Sequence, residues 1–210
     1  MEETEESEIT DNEIFTAIWT SPRQVFKYIN DNHYEKYMTL LLVLGGIASA
    51  FDRASSRNMG DTLSIEVIIG IGVVAGGLFG WISYYIYASL LSWTGGWLNG
   101  KGSSKSILRM LSYALIPIVI SVAFIVPQIA VYGVDIFKSD GDVTSAGLLG
   151  NIVFYVSALA KVILSIWTLI LTVIGISEVQ KLSIGKAILN LILPAVIIIV
   201  PILIIVLIVT

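Results

Sequence analysis

The chain has no cysteine and one histidine, His33. The first absence excludes disulfides, thiolate zinc sites and thiol nucleophiles, and the second excludes a metal site built from several imidazoles. Charge is also scarce. Asp, Glu, Lys and Arg make up 13% of the residues, about half the share in an ordinary soluble domain. The few lysines and arginines form no basic tract, so no nucleic acid is expected as a partner. The first residues are acidic and lack a short apolar core, so they do not read as a cleavable signal peptide. The first apolar span is expected to serve as the insertion signal. Neither H-E-x-x-H nor G-x-S-x-G occurs, and no carboxylates cluster within the apolar runs. These absences point away from an enzyme and imply no cofactor and no metal.

What the chain has is apolar length. Hydrophobic residues are 56% of its 210 positions, and mean hydropathy is +0.87. A helix crosses a ~30 Å hydrocarbon layer in roughly 20 residues. Five runs are read as spans, at about 37–51, 65–98, 107–132, 148–176 and 187–209. The expected fold is all-α, a polytopic membrane protein with a five-transmembrane-helix bundle and an N-terminal interfacial amphipathic helix. One membrane domain covers 13–210.

The bundle is organised around the hairpin from Gly70 to Pro117. In its first arm small residues recur at every fourth position: Gly72, Gly76 and Gly80, then Ala88, Ser92 and Gly96. Membrane helices gain little from the hydrophobic effect, so they associate where small residues let backbones approach. The glycine ridge is therefore a helix-packing face. Its partner is a helix of the same chain, the favoured reading, or of a second copy in a homo-oligomer or with other membrane proteins. Pro117 and Pro127 each remove a helix hydrogen bond and should bend the third span. Pro194 and Pro201 should interrupt the fifth.

Residues 1–12 are Glu-, Thr- and Ser-rich and read as a disordered acidic tail. From 13 to 31 the pattern becomes helical, with Ile14, Phe15, Ile18, Trp19, Val25, Phe26 and Ile29 at helical spacing. Ser21-Pro22 is a helix start, with Ser as N-cap and Pro at the first helical position. The stretch is too short and charged to span. It fits amphipathic helices in the headgroup region, with Trp19 and Tyr28 at the interface and Arg23 and Lys27 toward anionic lipid. Docking on the protein's own loops is the alternative.

Arg23, Lys27, Lys36, Lys101, Lys105, Arg109, Lys181 and Lys186 fall on one side of a five-span topology, and only Arg53, Arg57 and Lys138 on the other. Eight against three puts the N-terminus in the cytoplasm and Thr210 outside.

Several motifs carry less than they first suggest. Gly70-Ile-Gly-Val-Val-Ala75 matches a dinucleotide fingerprint but lies inside a span with no strand before it. Gly95 to Gly102 is one residue short of a phosphate loop, and Gly102 replaces the magnesium-holding Ser/Thr. A weaker reading survives there. Gly100, Lys101, Gly102 and Lys105 sit at a helix start beside the membrane, where the nearest anion is a lipid phosphate. Asp135, Asp140 and Asp142 have the wrong spacing for calcium.

Lys161 is the most informative single residue. An ammonium in mid-span is costly and is normally paired or functional. It lies fifteen residues from Ile176, at the cytoplasmic end of its span, and Asp52 lies fifteen residues from Tyr37, on the same side. At ~1.5 Å per residue both are about 22 Å deep, so Lys161 and Asp52 are expected to form an intramembrane pair. It acts either as a pin between helices or as an ion or proton pathway, with Lys161 snorkelling to the interface as the remaining alternative.

Ser21-Pro22 with Phe26, Gly45-Gly46, Gly100-Lys101, Ser112-Tyr113-Ala114 with Pro117, then Trp167, Gly175, Glu178 and Ser183 through Lys186-Ala187 follow one another between Ser21 and Pro194. In this order, and with five spans, the chain resembles the Ypt-interacting protein (Yip) domain family, in particular its compact bacterial-type members. The resemblance implies a five-helix integral membrane protein with a cytoplasmic N-terminus. Eukaryotic relatives are associated with Rab GTPases through a longer N-terminal region. No matching segment is found in the roughly 36 residues here, so a Rab-type GTPase is not carried over as a partner. The expected location is a bacterial inner membrane. The expected role is non-enzymatic: membrane organisation, lipid interaction or partner scaffolding. The alternative is a small transporter or channel using Lys161 and Asp52, which predicts a polar, water-accessible cavity at Lys161 where a scaffold predicts a closed bundle.

Overall fold

A computed structural model describes residues 9–11, 13–143 and 146–209. Among these residues the chain is all helical. Five helical runs are long and apolar enough to cross a membrane: Met38–Ser56, Ile65–Trp97, Ser104–Phe137, Gly147–Gln180 and Ile184–Ile208. The protein is a multi-pass membrane protein. Two short helices, α1 (Ile14–Ala17) and α2 (Pro22–Asp31), precede the first span, α3 (Met38–Ser56). The second span is α4 (Ile65–Gly70), a π-helical turn (Ile71–Ala75) and α5 (Gly76–Trp97). The third is broken into α6 (Ser104–Ala114), α7 (Ile116–Ser121) and α8 (Ile125–Tyr132). The fourth is α9 (Gly147–Gln180) and the fifth α10 (Ile184–Val209).

The glycine ridge finds its partner in the same chain. α3 packs most extensively on the second span, and the seam is glycine on glycine. A Cβ on Gly46 would lie 2.8 Å from the Gly80 Cα, and one on Gly76 would lie 2.8 Å from the Ala50 Cβ and 2.9 Å from the Gly46 carbonyl oxygen. Gly72 falls in the π-helical turn, where a Cβ would stand 2.9 Å from the Phe51 ring. Four of the five residues of that turn are β-branched or glycine, all weak α-formers.

Each proline acts through its missing N–H. α6 stops at Ala114 and the helix restarts at Ile116, with Pro117 in its first turn. Pro127 lies in the first turn of α8, after a 3₁₀ turn at Val122–Phe124. These are the bends expected in the third span. Pro194 and Pro201 do not interrupt the fifth: α10 runs through both. In hydrocarbon an unpaired backbone group is so costly that the remaining helix bonds hold. The first span is longer than expected. The helix reaches Ser56, so Asp52 and Arg53 lie within it rather than at its end.

The N-terminal segment differs from the lipid-facing expectation. Ile14, Ile18, Val25 and Phe26 are fully buried, and α2 lies against α9 and α6. The apolar face is covered by the protein's own helices, so lipid meets only the flanks. Trp19 stacks on Trp167 with centroids 6.2 Å apart. Pro22 takes the first helical position, but the Ser21 side chain makes no capping bond. The expected acidic tail lies outside the described residues except for Ile9, Thr10 and Asp11. These are docked: Ile9 packs on the core, and Asp11 accepts a 2.8 Å hydrogen bond from Tyr28.

The seam yields a direct test. Gly46→Ala should destabilise the protein by about 1–3 kcal/mol, the usual cost of overpacking. Gly77→Ala should be neutral or gain up to about 1 kcal/mol of helix propensity, because its new Cβ would meet Val43 at an ordinary 3.6 Å. Thermal unfolding in detergent would compare the two, and equal losses would refute the close-approach account.

Candidate functional site

Three polar constellations interrupt the apolar fold. The deepest joins α3 to α9. Lys161 Nζ lies 2.5 Å from Asp52 Oδ1. At 1.5 Å per residue, Lys161 is about 21 Å from one end of α9 and about 28 Å from the other. An isolated lysine at a bilayer centre costs at least ~2.5 kcal/mol, and a carboxylate in contact offsets that cost. The pair is not sealed. Its side chains are 47% and 45% exposed, and both line a cleft of about 60 Å³ with Ser55, Ser121, Gln128 and Ser157. Such a volume admits a few waters. Further toward the N-terminal pole the same helices carry buried apolar residues: Leu42 and Leu41 on α3, Ile116 and Ala114 on the third span, and Leu171 on α9.

The second constellation fastens the N-terminal segment. Arg109, on α6, is 3% exposed. Its Nη2 donates to Glu35 Oε1 at 2.7 Å, and Lys105 Nζ lies 3.1 Å from the same oxygen. Its Nη1 is 3.4 Å from His33 Nδ1. An arginine only donates, so in this contact the imidazole nitrogen is the acceptor. His33 itself sits in the left-handed region at φ 51°. The Arg109 hydrogen bond, with that of Lys105, holds the Glu35 carboxyl below its usual range.

The third constellation is the turn after α5. Here the two glycines expected to help cradle a lipid phosphate pack inward, while the Lys101 and Lys105 side chains are exposed. Gly100 and Gly102 pack on Gln180, where a Cβ on Gly102 would lie 3.0 Å from Gln180 Cγ. The Lys101 amide donates to the Gln180 carbonyl at 3.0 Å, and the Gly100 amide to Gly95 at 2.8 Å. Lys105 is committed to Glu35. The Lys101 side chain is open to solvent. The glycines are small because Gln180 fills the space beside them. Its amide donates to Asn190 at 2.5 Å and to the Leu91 carbonyl at 3.0 Å, and Asn190 donates to Thr94 at 2.8 Å. This buried network ties the second span to the fourth and fifth.

Arg109, Glu35, Gln180, Asn190 and Gln128 were not singled out by sequence reasoning. A signal existed for two of them. Arg109 interrupts Ile107-Leu108 and Met110-Leu111, and Asn190 interrupts Ile188-Leu189 and Leu191; a polar residue inside an apolar run needs an internal partner. No group of three or more metal-ligating side chains occurs among the described residues.

A family model described as the Yip1 domain matches residues 16–206. Neither the search of curated proteins nor that of solved structures found a match.

Two tests follow from this geometry. Asp52→Asn and Lys161→Met should each cost about 1–3 kcal/mol in detergent, below the range for an enclosed pair because both groups are half open. The double variant should cost less than the sum, and strict additivity would deny the coupling. Glu35 is depressed in the folded state, so its contribution is complete above the ordinary glutamate value and is lost as pH falls through the lower folded value. Protection of the α2 amides, measured against their intrinsic exchange rates, should therefore fall at acid pH, and Glu35→Gln should show the lower protection already at neutral pH. Unchanged exchange in that variant would mean that Arg109 does not hold the segment.

Proposed function

Because the chain belongs to the Yip1 domain family, we propose that it is a non-enzymatic, multi-pass protein of a bacterial inner membrane that organises the bilayer or scaffolds partners there. The observation that carries this reading is the apolar core at the N-terminal pole. α1 and α2 pack over α6 and α9 through buried Ile14, Ile18, Val25, Phe26 and Ile29, and the polar cleft at Lys161 is small, about 60 Å³, with no lining residue from that core. In this reading the Lys161–Asp52 pair pins α3 to α9.

The positive-inside asymmetry supports a cytoplasmic N-terminal pole. It would present Arg23, Lys27, Lys101, Lys181 and Lys186, all exposed, toward anionic headgroups or an acidic partner surface. Arg109 counts toward that asymmetry but is buried, so it holds the pole together and does not meet lipid.

A second reading has an observation of its own. Four neutral polar side chains and the ion pair line one cleft, as a transporter or channel would require. Proteoliposomes separate the two. With a pH-sensitive dye inside, scaffold vesicles should leak protons no faster than protein-free vesicles of the same lipids. Flux above that level that is abolished in Lys161→Met would replace the scaffold reading with the transporter. In the same preparation, vesicle size and shape seen by cryo-microscopy should shift with protein density, and an unchanged distribution would remove bilayer organisation.

A further inference from the structure

A crevice of about 940 Å³ lies between α3 and the second span, on the half away from the N-terminal pole. Ala50 and Arg53 line it from α3 and Arg57 from its C-cap, at the one-turn spacing that places them on one side. Ala75, Phe79 and Ser83 line it from the facing helix, again at one-turn spacing. The 3₁₀ turn at Met59–Asp61 roofs it. The wall on the second span runs from Ile71 to Tyr87, about 24 Å at 1.5 Å per residue. One leaflet of a ~30 Å hydrocarbon core is about 15 Å deep, so the crevice is long enough to take an acyl chain at full extension.

Its charge sits at one end. Arg53 and Arg57 are both exposed, and neither has a carboxylate within ion-pair distance among the described residues. The nearby acids are already engaged. Asp52, on the adjacent face of α3, holds Lys161, and Asp61, in the roof, accepts the Ser139 amide at 3.0 Å. Counting Asp61, the mouth carries a net charge of +1. Guanidinium groups pair with phosphate through two parallel hydrogen bonds, and a headgroup bearing net negative charge would neutralise the mouth where a zwitterionic one would not.

We propose that this crevice binds one anionic phospholipid from the leaflet opposite the N-terminal pole, with its phosphate on Arg53 and Arg57 and an acyl chain laid between α3 and the second span. The site uses the spanning fold only and stands apart from the scaffold reading above.

The test is native mass spectrometry of the full chain released from nanodiscs of equal phosphatidylglycerol and phosphatidylcholine, repeated with phosphatidylethanolamine in place of the choline lipid. The wild type should retain one phosphatidylglycerol in preference to either zwitterionic lipid by about fivefold or more. Arg53→Gln/Arg57→Gln, a change of exposed side chains, should abolish the preference. Ala75→Phe should expel the bound lipid with both arginines present, and Ser83→Phe should do the same if Ala75→Phe lowers the unfolding temperature. Absence of a preference in the wild type would overturn the site. So would its persistence in the arginine variant, or retention of the lipid in a correctly folded crevice-filling variant.

Discussion

The structure depends on how closely two backbones can approach in a medium that gives apolar side chains no reason to cluster. Gly46, Gly76 and Gly80 allow α3 and the second span to meet with almost no side chain between them. Dispersion at that distance, summed over a long seam, is what membrane helices have in place of the hydrophobic effect. The rest of the arrangement follows from this crossing. It fixes the rotation of α3, which turns Asp52 toward α9 and Arg53 and Arg57 toward the opposite crevice. The same helix thus presents one charge to the interior and two to the lipid side.

The two poles are held by different chemistry. At the N-terminal pole enclosed polar groups bond across helices. Gln180 and Asn190 bond to each other and to the second span, and Arg109 reaches Glu35 from a site 3% exposed. These bonds restrict how the helices can pack, although Gln180 Oε1 and Arg109 Nε are left without a partner. Toward the other pole Asp52 and Lys161 line one cleft, and Arg53 and Arg57 another.

Most of the architecture was legible because the bilayer imposes it. Span number follows from length and hydropathy, and the glycine seam from its fourfold spacing. Lys161 and Asp52 could be matched by equal distance from one surface, because helical rise is constant. What was not legible depended on where a surface faces. The pattern of Ile14, Ile18, Val25 and Phe26 establishes an apolar face, but it does not distinguish lipid from the protein's own helices as its cover. Gly100 and Gly102 resemble an anion loop by composition, and only the position of Gln180 shows why they must be small. Pro194 and Pro201 were read by the rule for water, where a broken helix bond is replaced by solvent. Hydrocarbon offers no such replacement, so the helix continues.

α10 shows what partial packing allows. Ala187, Asn190 and Pro194 are buried against the bundle, whereas Ile202, Leu203, Ile204, Ile205 and Leu207 are each more than half exposed. The helix holds 26 residues, about 39 Å at 1.5 Å per residue, against a hydrocarbon thickness of about 30 Å. Packed at one end and exposed over its second half, it can meet that mismatch by tilting, by bending at Pro194 or Pro201, or by thickening the bilayer around it. The exposed half has few protein contacts to resist such adjustment, so a change in bilayer thickness would fall first on that stretch of the chain.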